Sequence, residues 1–507
     1  MKVRLLHPDR DFDLTAVRPP QATTVAQDLG LHTLVEAMAG NDKALRATAE
    51  IVLLAATGMG EAAAITHRQA GIADALAHPQ AVRTIHALAT EAIESRRRHY
   101  LGIALSDHAP STALYGAVEL LRTFSSWLRK LHGEVGALQG KFRSNAFTGL
   151  FASVRENLDG AYLDSIDAHI ETLGFRHGVL LEARLGGGNT GTAYGLRLPN
   201  AASPGWLKRL FGHLPPTYTW RLPECDEAGA RVLREIRDLG IARTTDALVQ
   251  SAGHVLQFFE SLRAELAFYV GALNLHDRLQ AAGVPVCLPA FATIGARCLQ
   301  TRGLRNPVLA LSSHASIVPS DCDADGSEIL LVTGANQGGK STFLRALGLA
   351  QVMLHAGLFI AADEYTGTLR SGVFTHAHRE EDASLRRGKF DEELQRLAAI
   401  ASQVRPGAVV LFNEPFAATN EREGSEVALE VFDALRERGI AVWCVSHLAT
   451  LARSLASRAD AGVLLLRAER RDDGSRSFVI RPGEPLDTSF GDDLYQQLFD
   501  ADAPTWQ

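Results

Sequence analysis

Gly334, Gly339, Lys340 and Ser341 stand at the spacing G-x-x-x-x-G-K-S, inside the run Gly334-Ala335-Asn336-Gln337-Gly338-Gly339-Lys340-Ser341. That spacing suits a triphosphate. Glycines let backbone N–H groups close around a phosphate, and a helix start adds positive potential. Lys340 would reach the β- and γ-phosphates, and the Ser341 hydroxyl would hold Mg²⁺. The flanks agree. Ile329-Leu330-Leu331-Val332 predicts a buried parallel strand, and Phe343, Leu344, Leu347 and Leu349 predict a helix after the loop. A chance glycine turn would lack both flanks.

Two further strands would carry polar groups to the same place. Ala408-Val409-Val410-Leu411-Phe412 ends in Asn413-Glu414, and Ile440 to Val445 ends in Ser446-His447. In a parallel sheet the strand C-termini meet the phosphate loop. Glu414 is there as the candidate base that polarises an attacking water, Asn413 as a metal-side ligand, and His447 as a sensor of the γ-phosphate. A surface glutamate and a satisfied core histidine are the plain alternatives.

Other elements must position these groups. Residues to about 160 are rich in Ala and Leu with helical periodicity, as in Leu114, Val118, Leu121, Phe124 and Leu128. From about 161 to 225 the texture changes. Val179 to Leu185 and Ala193 to Leu198 predict a β-hairpin around a glycine cluster. Gly186, Gly188 and Gly191 do satisfy G-x-G-x-x-G, but a strand follows where a dinucleotide site needs a helix, so the cluster reads as a hairpin tip. Over about 226 to 300, Leu248, Ala252, Val255, Phe259, Leu262, Leu266, Tyr269 and Leu273 form an a/d seam on a long helix. That helix is either core packing or a lever. Residues 301–507 complete the α/β part.

The chain has 507 residues, 46% of them hydrophobic, and a net charge of −7. The length allows two to four domains. The charge argues against a coat of nucleic acid, though not against a local basic groove. Clusters that could meet a phosphate backbone are Arg96-Arg97-Arg98, Arg129-Lys130, Lys141 with Arg143, and Lys208-Arg209, each of them also compatible with a solvated face. No apolar run is long enough to span a membrane, and Met1-Lys2-Val3-Arg4 opens no export signal. A cytoplasmic location is expected. Cys225, Cys287, Cys298, Cys322 and Cys444 are scattered and suggest neither zinc nor disulfides.

The motifs taken together resemble one family. Thr333 to Thr342 looks like the T-G-P-N-M-G-G-K-S-T of MutS-type DNA mismatch repair ATPases, and Gly338-Gly339 after Asn336 is more specific than a general phosphate loop. Phe374-Thr375 resembles the family's I-F-T-R. Asn413 to Ala428 is similar to D-E-x-G-R-G-T-S-T-x-D-G-x-x-x-A, matching at Glu414, Thr419, Gly424 and Ala428. Val445-Ser446-His447 resembles A-T-H, and Ser489-Phe490-Gly491 resembles S-Y-G. Upstream, His67-Arg68-Gln69 is similar to an R-Q of the helical core, and Arg302 to Val308 to E-G-R-H-P-V. The likeness is dense from about 300 to 495 and sparse from about 25 to 300.

The resemblance implies an ABC-type P-loop ATPase domain at the C-terminus. A mostly α-helical core and lever with a small β-containing, clamp-like insertion would precede it. It implies ATP and Mg²⁺ held by Gly334 through Thr342, a homodimer closing through the ATPase domains, and DNA as partner. Departures bear on the chemistry. The family's Walker B aspartate is Asn413 here, a weaker partner for a cation's water, so hydrolysis is expected to be slow. Along Arg386 to Leu394, Phe390 and Glu393 match the signature segment, while its serine is Gly388, followed by Lys389. The chain leaves no room for the two mismatch-reading domains of long relatives, and no nuclease domain is expected after the ATPase. Phe258-Phe259-Glu260 fits the mismatch wedge F-x-E, yet on the long helix it reads as core.

Overall fold

Alternation between helical and two-residue apolar periods sorts the chain into helices first and sheets later. The computed structural model describes residues 1–99, 109–175, 178–197, 218–313, 317–377, 388–458, 462–471 and 475–485. The leading helices are α1 (Ala22–Leu29), α2 (Leu31–Ala39), α3 (Lys43–Ala55), α4 (Ala62–Ala77), α5 (Pro79–His99), α6 (Pro110–Ala137), α7 (Asn145–Asn157) and α8 (Gly160–Leu173). Local chemistry starts several of them. The Asp42 carboxylate accepts from Ala44 N and Leu45 N ahead of α3, and Asp159 accepts from Tyr162 N ahead of α8, each satisfying amides that a helix start leaves bare. A hairpin of β1 (Leu181–Leu185) and β2 (Gly191–Leu196) follows, then α9 (Glu227–Ala281), an unbroken helix of 55 residues.

The remaining elements are β3 (Ala290–Ala292), β4 (Leu299–Leu304), α10 (Pro307–Ser312), β5 (Ser320–Asp323), β6 (Ile329–Gly334), α11 (Lys340–Ala356), β7 (Glu364–Thr368) and β8 (Val373–Ala377). After them come α12 (Lys389–Gln403), β9 (Val409–Asn413), α13 (Glu421–Glu437), β10 (Ala441–Val445), α14 (Ala449–Ala456), β11 (Val463–Arg470) and β12 (Arg476–Pro482).

The chain divides into two compact units. One comprises Met1–Val3, Thr84–Lys141 and Leu150–Arg263; the other comprises Arg4–Arg83, Phe142–Gly149 and the chain from Ala264 onward. In the first, the predicted stripe of α6 is buried at Leu114, Val118, Leu121, Phe124 and Leu128, and Phe124 meets Phe259 of α9 with ring centroids 6.0 Å apart. Phe258 and Phe259 are both buried, which is the packing role that their place on the helix suggested. Arg129 is tied to Asp164 at 2.7 Å and Asp167 at 2.6 Å, so one basic cluster already has internal partners. Lys208-Arg209, and the side chains of Arg97 and Arg98, lie outside the described residues.

Among the described residues the second unit holds two sheets. Six strands run in the order β12-β11-β6-β10-β9-β8, parallel except for β12, which pairs antiparallel with β11. Four more run β3-β7-β4-β5. The central strands are apolar throughout because both faces are covered. Ile329, Leu331, Val410, Phe412, Val442 and Cys444 are fully or almost fully buried and join Phe416 and Phe432 in one cluster. An α/β region at the C-terminal end, with a helical region before it, is the architecture observed. From Leu262 onward α9 is buried nearly all round, including Glu265, so its interior half carries more than the single seam read from the sequence.

Candidate nucleotide site

Register brings the candidate residues to one sheet edge. Val332 pairs with Val445, and Val445 with Asn413, so β6, β10 and β9 deliver their last residues side by side. The loop between β6 and α11 bends sharply, with Gly334 at φ 107° and Gly339 at φ 88°. Both lie in the region that favours glycine. A Cβ at Gly334 would stand 3.0 Å from the Ala468 backbone, which fixes that position doubly. Gln337 also takes a positive φ of 58°.

Lys340 opens α11 and is 6% exposed. Its Nζ donates to Gly334 O at 2.8 Å and Ala335 O at 3.0 Å, so the ammonium is held inside the curl of the loop. Burial lowers its pKa, opposed by the Glu414 carboxylate and helped by Arg476. The far end of α11 is anchored as firmly. Arg68 donates to Ala356 O at 3.0 Å, His355 is within 3.1 Å of Ala56 O and Gly58 O through Nδ1, and its Nε2 accepts from Arg370 N at 3.1 Å. Burial lowers the pKa of His355 to about 4, matching a neutral ring with Nδ1–H donating. Arg68 lies in the segment noted for its helical-core likeness; its use as a cap on the phosphate-loop helix has no sequence signal.

Asn336 through Thr342 and Glu414 line one cleft of about 490 Å³, within the usual range for small-molecule sites. Its walls add Asn306, Leu309, Ile317, Val318, Phe343 and Phe478. Asn306 lies in the Arg302–Val308 segment noted above, which assigns it no role at the site; it caps α10 and its Nδ2 reaches Thr342 O at 3.3 Å. Phe478 comes from β12, has φ 63° and is 49% exposed, and nothing in its surrounding sequence marks it. Arg476 of the same strand donates to Asn336 O at 3.2 Å.

Gly334 and Ala335 form the floor of the loop, outside the cleft lining. Asn413 ends β9 with a buried Oδ1 that has no partner among the described residues. Glu414 follows with φ 55°, its N–H donating to Val445 O at 2.8 Å. His447 is exposed just past β10 and does not line the cleft, whereas Ser446 is buried, with N–H to Val332 O at 3.2 Å. The signature-like segment is described only from Gly388, which precedes α12. Arg386, Arg387 and Ser489-Phe490-Gly491 lie outside the described residues.

Among the described residues no helix is long and apolar enough to cross a membrane. Residues 60–282 match the family model "MutS2 N-terminal domain", and residues 330–480 match "MutS domain V". A "DNA mismatch repair protein MutS" of Syntrophobacter fumaroxidans is 30% identical over 223 residues, covering 39% of this chain and 24% of that protein. An "Endonuclease MutS2" of Anaeromyxobacter sp. is 32% identical over 243 residues, 44% of this chain and 27% of that protein. The MutS of Thermus aquaticus is 32% identical over 140 residues, 28% of this chain and 17% of that protein. The chain thus spans about a quarter or less of the length of these curated relatives. Its helical part and its sheet part each match the corresponding part of one family, and the chain belongs to the MutS family.

Proposed function

We propose that this protein binds and hydrolyses ATP and binds DNA, acting in repair or recombination, with ATP closing a homodimer through its ABC-type P-loop ATPase domains. The observation that carries the reading is the cleft shared by Lys340 and Glu414 at the ends of β6 and β9. Backbone N–H groups of Gly338 to Thr342 receive the phosphates, with Gly334 and Ala335 shaping the loop. Lys340 leaves its two carbonyls for the β/γ oxygens, and Glu414 orients the attacking water and takes its proton. His447 is read as a γ-phosphate sensor. The helical core of 1–160, the insertion of 161–225 and the lever of 226–300 form the grip and its transmission to residues 301–507.

Mg²⁺ fits the donors present. Ser341 offers a hydroxyl and Asn413 an orphaned buried Oδ1, hard oxygen ligands of the kind Mg²⁺ accepts together with phosphate. Bound there, the cation would offset charge on the phosphates. DNA contact through phosphates would be salt-sensitive and sequence-independent. A cytoplasmic location accords with this reading.

Asn413 favours a second reading, an ATP-gated clamp with little turnover, because an amide holds the cation's water less firmly than a carboxylate. Net charge favours a third, an ATPase acting on a protein partner. Measuring ATP turnover with plain, mismatched and branched duplexes, alongside Glu414→Gln, separates them. DNA-stimulated turnover that drops by about a hundredfold or more in Glu414→Gln supports the main reading. Tight ATP binding without turnover supports the clamp, and indifference to DNA supports the protein partner.

A further inference from the structure

Glu393 lies in the second turn of α12, is 2% exposed, and accepts the Phe416 N–H on Oε1 at 2.6 Å. Phe416 is two residues past Glu414. Both have left-handed backbone, φ 60° and φ 55°, and neither is glycine. L side chains rarely adopt such backbone, so the loop holds this shape only if its surroundings fix it. Three contacts do so. Glu414 N donates to Val445 O at 2.8 Å, Glu393 takes the Phe416 N–H, and α13 presses from the far side, where a Cβ on Gly424 would stand 2.8 Å from Phe416 O. The Phe416 ring is fully buried, 6.4 Å from Phe390 and 6.2 Å from His376.

His376 Nε2 lies 4.0 Å from Glu393 Oε1. Burial lowers the His376 pKa against the pull of Glu393, so the imidazole is neutral and the short contact to Phe416 N is the carboxylate's closer interaction. A buried acid used this way fixes a backbone; it does not touch the cleft, whose lining omits it.

We propose that Glu393 is a positioning residue for ATP hydrolysis: through the Phe416 amide it locks the Glu414–Phe416 turn and aims the Glu414 carboxylate into the cleft. The assignment rests on the ATPase reading. Because Glu393 and Phe390 share the helix that begins at Gly388-Lys389, a displacement of that helix start shifts the same turn.

The test uses the full chain as wild type, Glu393→Asp, Glu393→Gln and Glu393→Ala, with Glu414→Gln as reference, compared at matched folded concentration. Aspartate withdraws the oxygen by one methylene and keeps the charge; glutamine keeps the oxygen and loses the charge. Glu393→Asp should lower kcat by about tenfold to a hundredfold, with KM and calorimetric ATP affinity within about twofold. Glu393→Gln should keep about half of kcat or more. If Glu393→Ala does not fold, the Asp and Gln pair decides. Turnover that Glu414→Gln abolishes and Glu393→Asp leaves intact overturns the assignment alone, as does a Gln variant as slow as Asp. A wild type without ATP turnover overturns the ATPase reading and the assignment with it.

Discussion

The sheet edge at β6, β9 and β10 and the β1–β2 hairpin each include a glycine-bearing loop, after β6 and between β1 and β2, and they are built in opposite ways. At that edge Gln337, Glu414 and Phe416 hold positive φ, as does Phe478 of β12 where it borders the cleft. Buried hydrogen bonds pin that backbone from several elements: Lys340 to the loop carbonyls, Glu414 N to Val445 O and Phe416 N to Glu393. In the hairpin Ala193 alone of the non-glycine residues has positive φ, Leu185 is 78% exposed, and the Arg197–Glu182 pair at 3.6 Å is solvent-facing, so it contributes little. Strained backbone is thus more frequent at the candidate site than in the hairpin. Unfavourable backbone persists where surroundings over-determine it, and the candidate base sits on such backbone. The hairpin's apolar side chains and those at the start of α9, Leu233 and Leu239, have no comparable internal cover.

Energetic tests sharpen that contrast. The largest stability effect belongs to the covered part of α9. Leu262 is fully buried, and Leu262→Ala should cost about 2–5 kcal/mol in chemical denaturation. If α9 transmits ATP binding to a DNA grip, the same change should lower DNA-stimulated turnover more than basal turnover at matched folded concentration; equal losses would rule out the lever and leave α9 as core packing.

A smaller effect follows from His355. Its folded pKa is near 4 against an ordinary 6.5 because burial disfavours the charged ring. The unfolded chain therefore takes up a proton first. This contribution is fully present above pH 6.5 and is lost as pH falls toward 4, by about 1.4 kcal/mol per pH unit. His7 is lowered to about 4 as well, burial first and then Arg68, and adds the same sign. His355→Gln should flatten the acid slope of the melting temperature by one proton's worth, and an unchanged slope would contradict a neutral buried ring. The smallest effect is on the uncovered part: Leu239, 63% exposed, should cost within about 0.5 kcal/mol when changed to Ala.

Those contrasts also explain what the sequence disclosed. The strands under the site were legible because Ile329–Val332, Val409–Phe412 and Ala441–Val445 are apolar on both faces, and their endings put Lys340 and Glu414 in one place. The α9 seam was legible as a stripe, yet Ala264, Ala267, Phe268, Val270 and Ala272 are buried too, and heptad spacing alone hides that second face. Left-handed backbone at Glu414 and Phe416 was invisible, because neither residue type announces it. Phe478 and Asn306 reach the cleft from strands and caps distant in sequence, which only sheet order reveals. His447 follows β10, but it is exposed and outside the cleft lining.

In the proposed function the loop at Gly334–Ser341 grips a nucleoside triphosphate through its buried lysine. Calorimetric titration of the full chain and of Lys340→Ala with ATP and Mg²⁺ tests it most directly. Saturable binding by the wild type and none by the variant at the same folded concentration is expected. Equal affinity in both would contradict it.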